Sequence, residues 1–195
     1  EICQRLVGSE MCIRDRSLGL LHAIIGTIPD QYKWGVKVLG LNGTIAQGMG
    51  EMRSILDYAE NNDFIFKSEA LFYYSFMALY LENNPEKAWE TITTREVDCQ
   101  ENLLNVFVVA SIAMRTGNNE TAISTIENRP SDSRYFPFPY LDYMLGLAKL
   151  RGLKTDADDN IQRFLQSFKG ENYIKDAYQK LAWHSLVHDD LDGYR

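Results

Sequence analysis

Residues 83–88 read NNPEKA, residues 117–122 read GNNETA and residues 152–157 read GLKTDA. Each stretch combines turn-forming residues with a closing alanine, and each lies between two segments that favour helix. The three alanines are 34 and 35 residues apart, and Gly193 follows after 36 more. This period indicates a repeated helical hairpin, whose two helices approach closely where a side chain is small.

We therefore predict that one small residue in each repeat packs between two helices. Gly48 opens the series, 40 residues before the first of the alanines. The predicted repeat-packing positions are Gly48, Ala88, Ala122, Ala157 and Gly193.

The segments between these turns are also typical of helices. Apolar patterns predict helices over residues 17–28, 31–41, 68–82 and 101–116, and a further helix that Thr44 caps and that runs to about residue 60. No alternating polar and apolar pattern indicates a hairpin of strands. The fold class predicted is all-α, a right-handed α-solenoid of antiparallel helix pairs.

Two further segments resemble known helical-repeat proteins. Residues 39–44 (LGLNGT) and 48–52 (GMGEM) resemble the entry region of eukaryotic tetratricopeptide-repeat-39-like proteins. Residues 168–183 (FKGENYIKDAYQKLAW) resemble bacterial tetratricopeptide-repeat (TPR) proteins of unassigned function. The resemblance implies a superhelical adaptor with TPR-like repeats, and it supplies no catalytic residues.

The two ends of the chain are expected to be unnatural. Residues 7–16 (VGSEMCIRDR) resemble a translated sequencing adapter, so we expect residues 1–16 to be an artefact that belongs to no domain. We expect residues 17–195 to be a single TPR-like α-solenoid that is truncated at both ends. Because the natural N-terminus would then be missing, cytoplasmic and periplasmic locations both stay open.

The charge of the chain narrows the class of partner. A net charge of −7 argues against a nucleic-acid partner and against an anionic membrane surface, because both require a basic face. The longest apolar run, about residues 70–81, is shorter than a membrane span of about 20 residues. We predict a protein or peptide partner and no cofactor or metal.

A partner surface follows from the resemblance, since the first helix of each TPR pair lines the concave side of the array. Counting back from the small residues places aromatic, methionine and charged side chains there, which are common in binding surfaces. The predicted partner-binding residues are Tyr73, Met77, Tyr80, Phe107, Ser111, Met114, Asp142, Lys149, Lys175 and Tyr178.

The leading hypothesis is therefore a non-catalytic scaffold or adaptor that holds a partner segment in a helical groove. One alternative is a structural spacer or oligomerisation segment of a larger protein.

A remote alternative is an α-solenoid enzyme or metal site that uses His184 and His188, whose spacing suits zinc. However, Ser185 stands where a zinc protease has its glutamate. Asp176 and Lys180 have the spacing of a helix-surface ion pair, and the sequence predicts a structural role for them.

Overall fold

The computed structural model describes residues 17–132 and 134–194, with the backbone alone at Leu191. Residues 1–16, the predicted artefact, lie outside this description. The described residues form helices and no strand, which confirms the all-α prediction. The helices are α1 (residues 17–26), α2 (Lys33–Val38), α3 (Ile45–Asn61), α4 (Lys67–Tyr80), α5 (Pro85–Thr94), α6 (Leu103–Arg115), α7 (Asn119–Glu127), α8 (Tyr140–Arg151), α9 (Ala157–Ser167), α10 (Ile174–Val187) and α11 (Leu191–Tyr194).

Side-chain caps explain where several helices begin. Thr44 precedes α3 and accepts a hydrogen bond from the backbone N–H of Gln47 at 3.0 Å, as predicted. Asn84 caps α5 in the same way through the N–H of Lys87, and Pro85 occupies the first turn, where its missing N–H costs little.

The prediction of one helix over residues 31–41 is only partly right. A 3-10 turn, Asp30–Tyr32, comes first, and α2 then ends at Val38. Gly40 adopts a φ of 72°, a left-handed conformation that glycine tolerates, and this conformation ends the helix.

The described residues divide between Glu96 and Val97 into two compact units. In the first unit, α4 packs against both α3 and α5. α1 crosses α3 at Gly48, where an added Cβ would lie 2.4 Å from the carbonyl oxygen of Gly19 and 2.7 Å from the Cβ of Ala23. The absence of a side chain at Gly48 therefore allows the two helices to touch through their backbones.

In the second unit, α8 packs against α6, α7, α9 and α10. α8 meets α9 closely at Gly146, where a Cβ would lie 2.5 Å from Cγ1 of Ile161 and 3.0 Å from the carbonyl oxygen of Ala157. Tyr143 and Phe164 form the centre of the core between these helices. Each helix of this unit from α6 to α10 thus contacts the next along the chain, and α8 also contacts the second helix on either side.

Four of the predicted repeat-packing positions are buried. Ala88, Ala122 and Ala157 are fully buried, and Gly48 is buried at the α1–α3 crossing. Gly193 is exposed in the short helix α11, where a Cβ would approach the carboxylate of Asp190. The single solenoid over residues 17–195 stays a prediction. Within the described ranges, no helix has both the length and the apolar character needed to cross a bilayer.

Candidate functional site

An apolar concavity lies in the second unit, along α8 and α10. We call it the Trp183 cleft. Its volume is about 690 Å³, within the range of about 300–1,000 Å³ typical of ligand pockets. Its apolar walls are formed by Leu147, Leu150, Leu153, Trp183, Leu186 and Val187.

The walls of the cleft include large apolar side chains that remain in contact with water. Trp183, Leu186 and Val187 are 45%, 46% and 49% exposed, and Leu153 is 66% exposed. A single exposed apolar residue is ordinary on a protein surface, but a group of them around one concavity makes this cleft the candidate site.

A polar group of side chains lies within the same cleft. The hydroxyl of Tyr143 donates a hydrogen bond to the carboxylate of Asp176, and Lys180 pairs with that carboxylate at 3.2 Å. Burial and the hydrogen bond to Asp176 raise the pKa of Tyr143 well above its usual range, so the hydroxyl stays protonated and donates. Asp176 and Lys180 were predicted to be a surface pair, but Lys180 is buried at the foot of the cleft.

Lys180 also positions the aromatic wall. Its ammonium lies 3.7 Å from the centre of the Trp183 ring, a cation–π contact. Asp176, Lys180, Trp183 and Val187 share one face of α10, because they are spaced three or four residues apart. The charge of Lys180 is therefore satisfied on one side by a carboxylate and on the other by the indole ring.

Two of the predicted partner-binding residues are buried, and this corrects their assignment. Met77 is 4% exposed and belongs to the core of the first unit. Lys149 is 7% exposed, and its ammonium lies 2.5 Å from Asp156 and 2.8 Å from Glu127, so it joins the ends of neighbouring helices. Neither side chain is accessible to a partner.

The other predicted partner-binding residues on α4 and α6 range from half-buried to exposed. On α4, Tyr73 is half-buried against Phe72, and Tyr80 is exposed. On α6, Phe107 is half-buried near the ring of Phe138, and the remaining predicted positions, Ser111 and Met114, are also half-buried.

On the later helices, the cleft and the predicted surface occupy different faces. Asp142 accepts a hydrogen bond from Arg129 at 2.7 Å, and Lys175 and Tyr178 are exposed. The residues of α8 that line the cleft include Tyr143 and Leu150, each of which directly follows a predicted residue, Asp142 or Lys149. Successive residues of a helix are about 100° apart around its axis, so a shift of one position places a side chain on another face. Trp183 and Lys180 were missed as site residues, although their spacing to Asp176 is visible in the sequence.

The predicted histidine pair lines a second, more polar cleft of about 560 Å³. The rings of His184 and His188 lie 4.3 Å apart, and Nε2 of His184 lies 3.1 Å from the carbonyl oxygen of Thr155. The nearest carboxylate to His184, that of Asp158, is 3.7 Å away. Over residues 17–132 and 134–194, no group of three or more potential ligands is arranged to hold a metal ion.

Comparison with known proteins gives no family assignment. No protein-family model matches the chain, and no curated protein and no solved structure matches it either.

Proposed function

We propose that this chain is a non-catalytic interaction scaffold that binds a segment of a partner protein in the Trp183 cleft. The observation that carries the proposal is the group of exposed apolar side chains around this concavity. Burying such side chains stabilises a complex by about 25 cal/mol for each Å² of apolar surface removed from water. Tryptophan in particular contributes strongly to protein interfaces.

The geometry of the cleft favours a binding role for a second reason. Trp183 is held by the ammonium of Lys180, and Lys180 is held by Asp176 and, through that carboxylate, by the hydroxyl of Tyr143. A side chain that is ordered before binding loses less conformational entropy when the partner arrives. The binding surface is therefore partly pre-organised.

We further propose that the helices form a right-handed, TPR-like α-solenoid. Its support is the spacing of 34 to 36 residues between the small residues, together with the burial of Ala88, Ala122 and Ala157. The succession of helix contacts from α6 to α10 is also what stacked hairpins require. Tyr178 and Lys175, which are exposed on another face of α10, form a separate surface in this proposal.

Selection from a library of random peptides tests the proposed function. The full chain, immobilised, should enrich peptides that share a sequence pattern, and the corresponding synthetic peptides should bind it in solution. The variant Trp183→Ala should bind them at least about tenfold more weakly, because truncating a central interface tryptophan costs about 2 kcal/mol or more.

The matched control for this experiment is Trp34→Ala, which removes another exposed tryptophan from the first unit, outside the cleft. It should leave the affinity unchanged. Far-ultraviolet circular dichroism should show that both variants keep their helix content. If the chain enriches no peptide family, or if Trp183→Ala binds as tightly as the wild type, the proposed function is wrong.

A spacer or oligomerisation segment is the second candidate function, and the same exposed residues favour it. Sedimentation of the free chain separates the two. A monomer at micromolar concentration supports the scaffold, whereas a dimer that Trp183→Ala disrupts supports the oligomerisation role.

A further inference from the structure

The charges along the Trp183 cleft do not balance. Two cations, Arg151 and Lys180, and one carboxylate, Asp176, line it, which leaves one net positive charge. This local charge is opposite in sign to the net charge of −7 on the whole chain. Because charges in water are screened over about 8 Å at physiological salt, a bound segment responds mainly to the local charge.

The uncompensated positive charge in the cleft is that of the Arg151 guanidinium. Lys180 and Asp176 neutralise each other at 3.2 Å, and Lys180 is covered by Trp183. Arg151 is exposed at the end of α8, and its guanidinium donates a long hydrogen bond of 3.4 Å to the carbonyl oxygen of Met114. Within the described parts of the chain, no carboxylate lies at ion-pair distance from its guanidinium.

The position of Arg151 sets what it could recognise. It follows Leu150 directly and precedes Leu153 by two residues, and both leucines line the same cleft. A guanidinium at the edge of an apolar wall can pair with a carboxylate through two parallel hydrogen bonds while apolar side chains fill the wall.

We infer that the partner of the Trp183 cleft is an apolar peptide segment carrying an acidic side chain, and that Arg151 binds that carboxylate. The inference rests on the proposed function, since it names the partner class for the same cleft. A basic segment would place like charge against Arg151.

Charge reversal tests this partner class. The peptides selected by the wild type should share an aspartate or glutamate beside their apolar residues. The variant Arg151→Glu should bind these peptides about tenfold more weakly, since reversing a charge replaces an attraction by a repulsion. Changing the acidic residue of the peptide to lysine should weaken binding to the wild type and restore binding to Arg151→Glu.

The control variant is Lys169→Glu, which makes the same change of charge at an exposed residue outside the cleft. It should leave the dissociation constant within about twofold, because Lys169 does not line the cleft and an exposed charge is screened by salt. Isothermal titration calorimetry on the full chain supplies the dissociation constant of each pair of chain and peptide.

Three outcomes would overturn the inference, and they differ from one another. If the selected peptides require Trp183 but share no acidic residue, and Arg151→Glu binds them normally, the partner class is wrong while the proposed function stands. If no peptide is enriched, both are wrong. If the free chain forms a dimer that the peptides dissociate, the natural occupant is a second copy.

Discussion

The ammonium of Lys180 lies 3.7 Å from the centre of the Trp183 ring and 3.2 Å from the carboxylate of Asp176. A buried cation is thus used to hold an exposed aromatic side chain in place. The arrangement connects the interior of the second unit to the surface that we propose as its binding site.

Replacing Lys180 by methionine should weaken peptide binding without unfolding the chain. Methionine keeps an apolar stem of similar length, and Asp176 still accepts the hydrogen bond from the hydroxyl of Tyr143. The ring of Trp183 would become mobile, and ordering it again on binding costs about 0.5–1.5 kcal/mol, or about two- to tenfold in affinity. The measurement is the dissociation constant of a selected peptide, with Lys169→Met as the control outside the cleft. An unchanged constant would show that Lys180 does not position Trp183.

Two glycines of α3 should respond in opposite ways to the same substitution. Gly48→Ala should destabilise the chain by about 1–3 kcal/mol, since its Cβ would lie 2.4 Å from the carbonyl oxygen of Gly19. Gly50→Ala meets no atom within 4 Å and should stabilise α3 by about 0.5–1 kcal/mol. Urea unfolding followed by circular dichroism measures both changes. Equal effects of the two substitutions would contradict the close crossing of α1 and α3.

Removing the cation of the Lys149 ion pairs should destabilise the chain less than removing the two carboxylates. Lys149→Met should change the free energy of unfolding by less than about 1 kcal/mol, because Glu127 and Asp156 are half-exposed and regain water. The double variant Glu127→Gln with Asp156→Asn leaves a buried cation unpaired and should cost about 3 kcal/mol. Urea unfolding at neutral pH compares the two. The interpretation fails if Lys149→Met is the more damaging change.

The same ion pairs predict a pH dependence. The hydrogen bond from Lys149 is the largest influence on Asp156 and lowers its pKa below 3.8. Desolvation lowers the pKa of Lys149, but the hydrogen bonds and charges of Asp156 and Glu127 outweigh it, and the net pKa lies above 10.5.

Stabilisation from the lowered carboxyl is therefore present above pH 3.8 and is lost as the pH falls through the lowered value. Stabilisation from the raised ammonium is present below pH 10.5 and is lost as the pH rises through the raised value. The difference in unfolding free energy between wild type and Lys149→Met should stay constant between these limits and change outside them. A difference that varies most near neutral pH would contradict this assignment.

A buried hydroxyl offers a stabilising substitution. Ser75 is fully buried in α4, and its Oγ has no hydrogen-bond partner among the described residues. Ser75→Ala should stabilise the chain by about 1 kcal/mol, because it removes a polar group that lost its water without compensation.

Ser54→Ala is the control for this substitution, since Ser54 is exposed on α3 and bonds the carbonyl oxygen of Gly50 at 3.1 Å. Both variants gain the same helix propensity, so the difference between their melting temperatures reports the burial of the unpaired Ser75 hydroxyl together with the exposed hydrogen bond that Ser54→Ala loses. A Ser75→Ala variant no more stable than Ser54→Ala would indicate that the hydroxyl is satisfied in solution.

The sequence predicts local features of this fold well, because they depend on neighbouring residues. Thr44 as a cap and the turns before Ala88 and Ala122 are determined by side chains within a few positions, and the structure has helices where these signals place them. The extent of α2 was overestimated, since the pattern of apolar residues does not reveal the left-handed conformation at Gly40.

The site could not be predicted in the same way, because it depends on contacts between distant residues. Tyr143 and Asp176 are 33 positions apart, and only the packing of α8 beside α10 brings them together. Without that contact, the pair of Asp176 and Lys180 has the appearance of an ordinary surface ion pair. Which face of each helix lines the cleft likewise depends on the helices that pack against it.

The most direct test of the proposed binding site is fluorine NMR of the full chain labelled with 5-fluorotryptophan. The chain has three tryptophans, Trp34, Trp89 and Trp183, whose resonances are assigned by single replacement with phenylalanine. Titration with a selected peptide should move or broaden the resonance of Trp183 and leave the other two in place. A shift at Trp34 or Trp89 with an unchanged Trp183 resonance would contradict binding in the cleft.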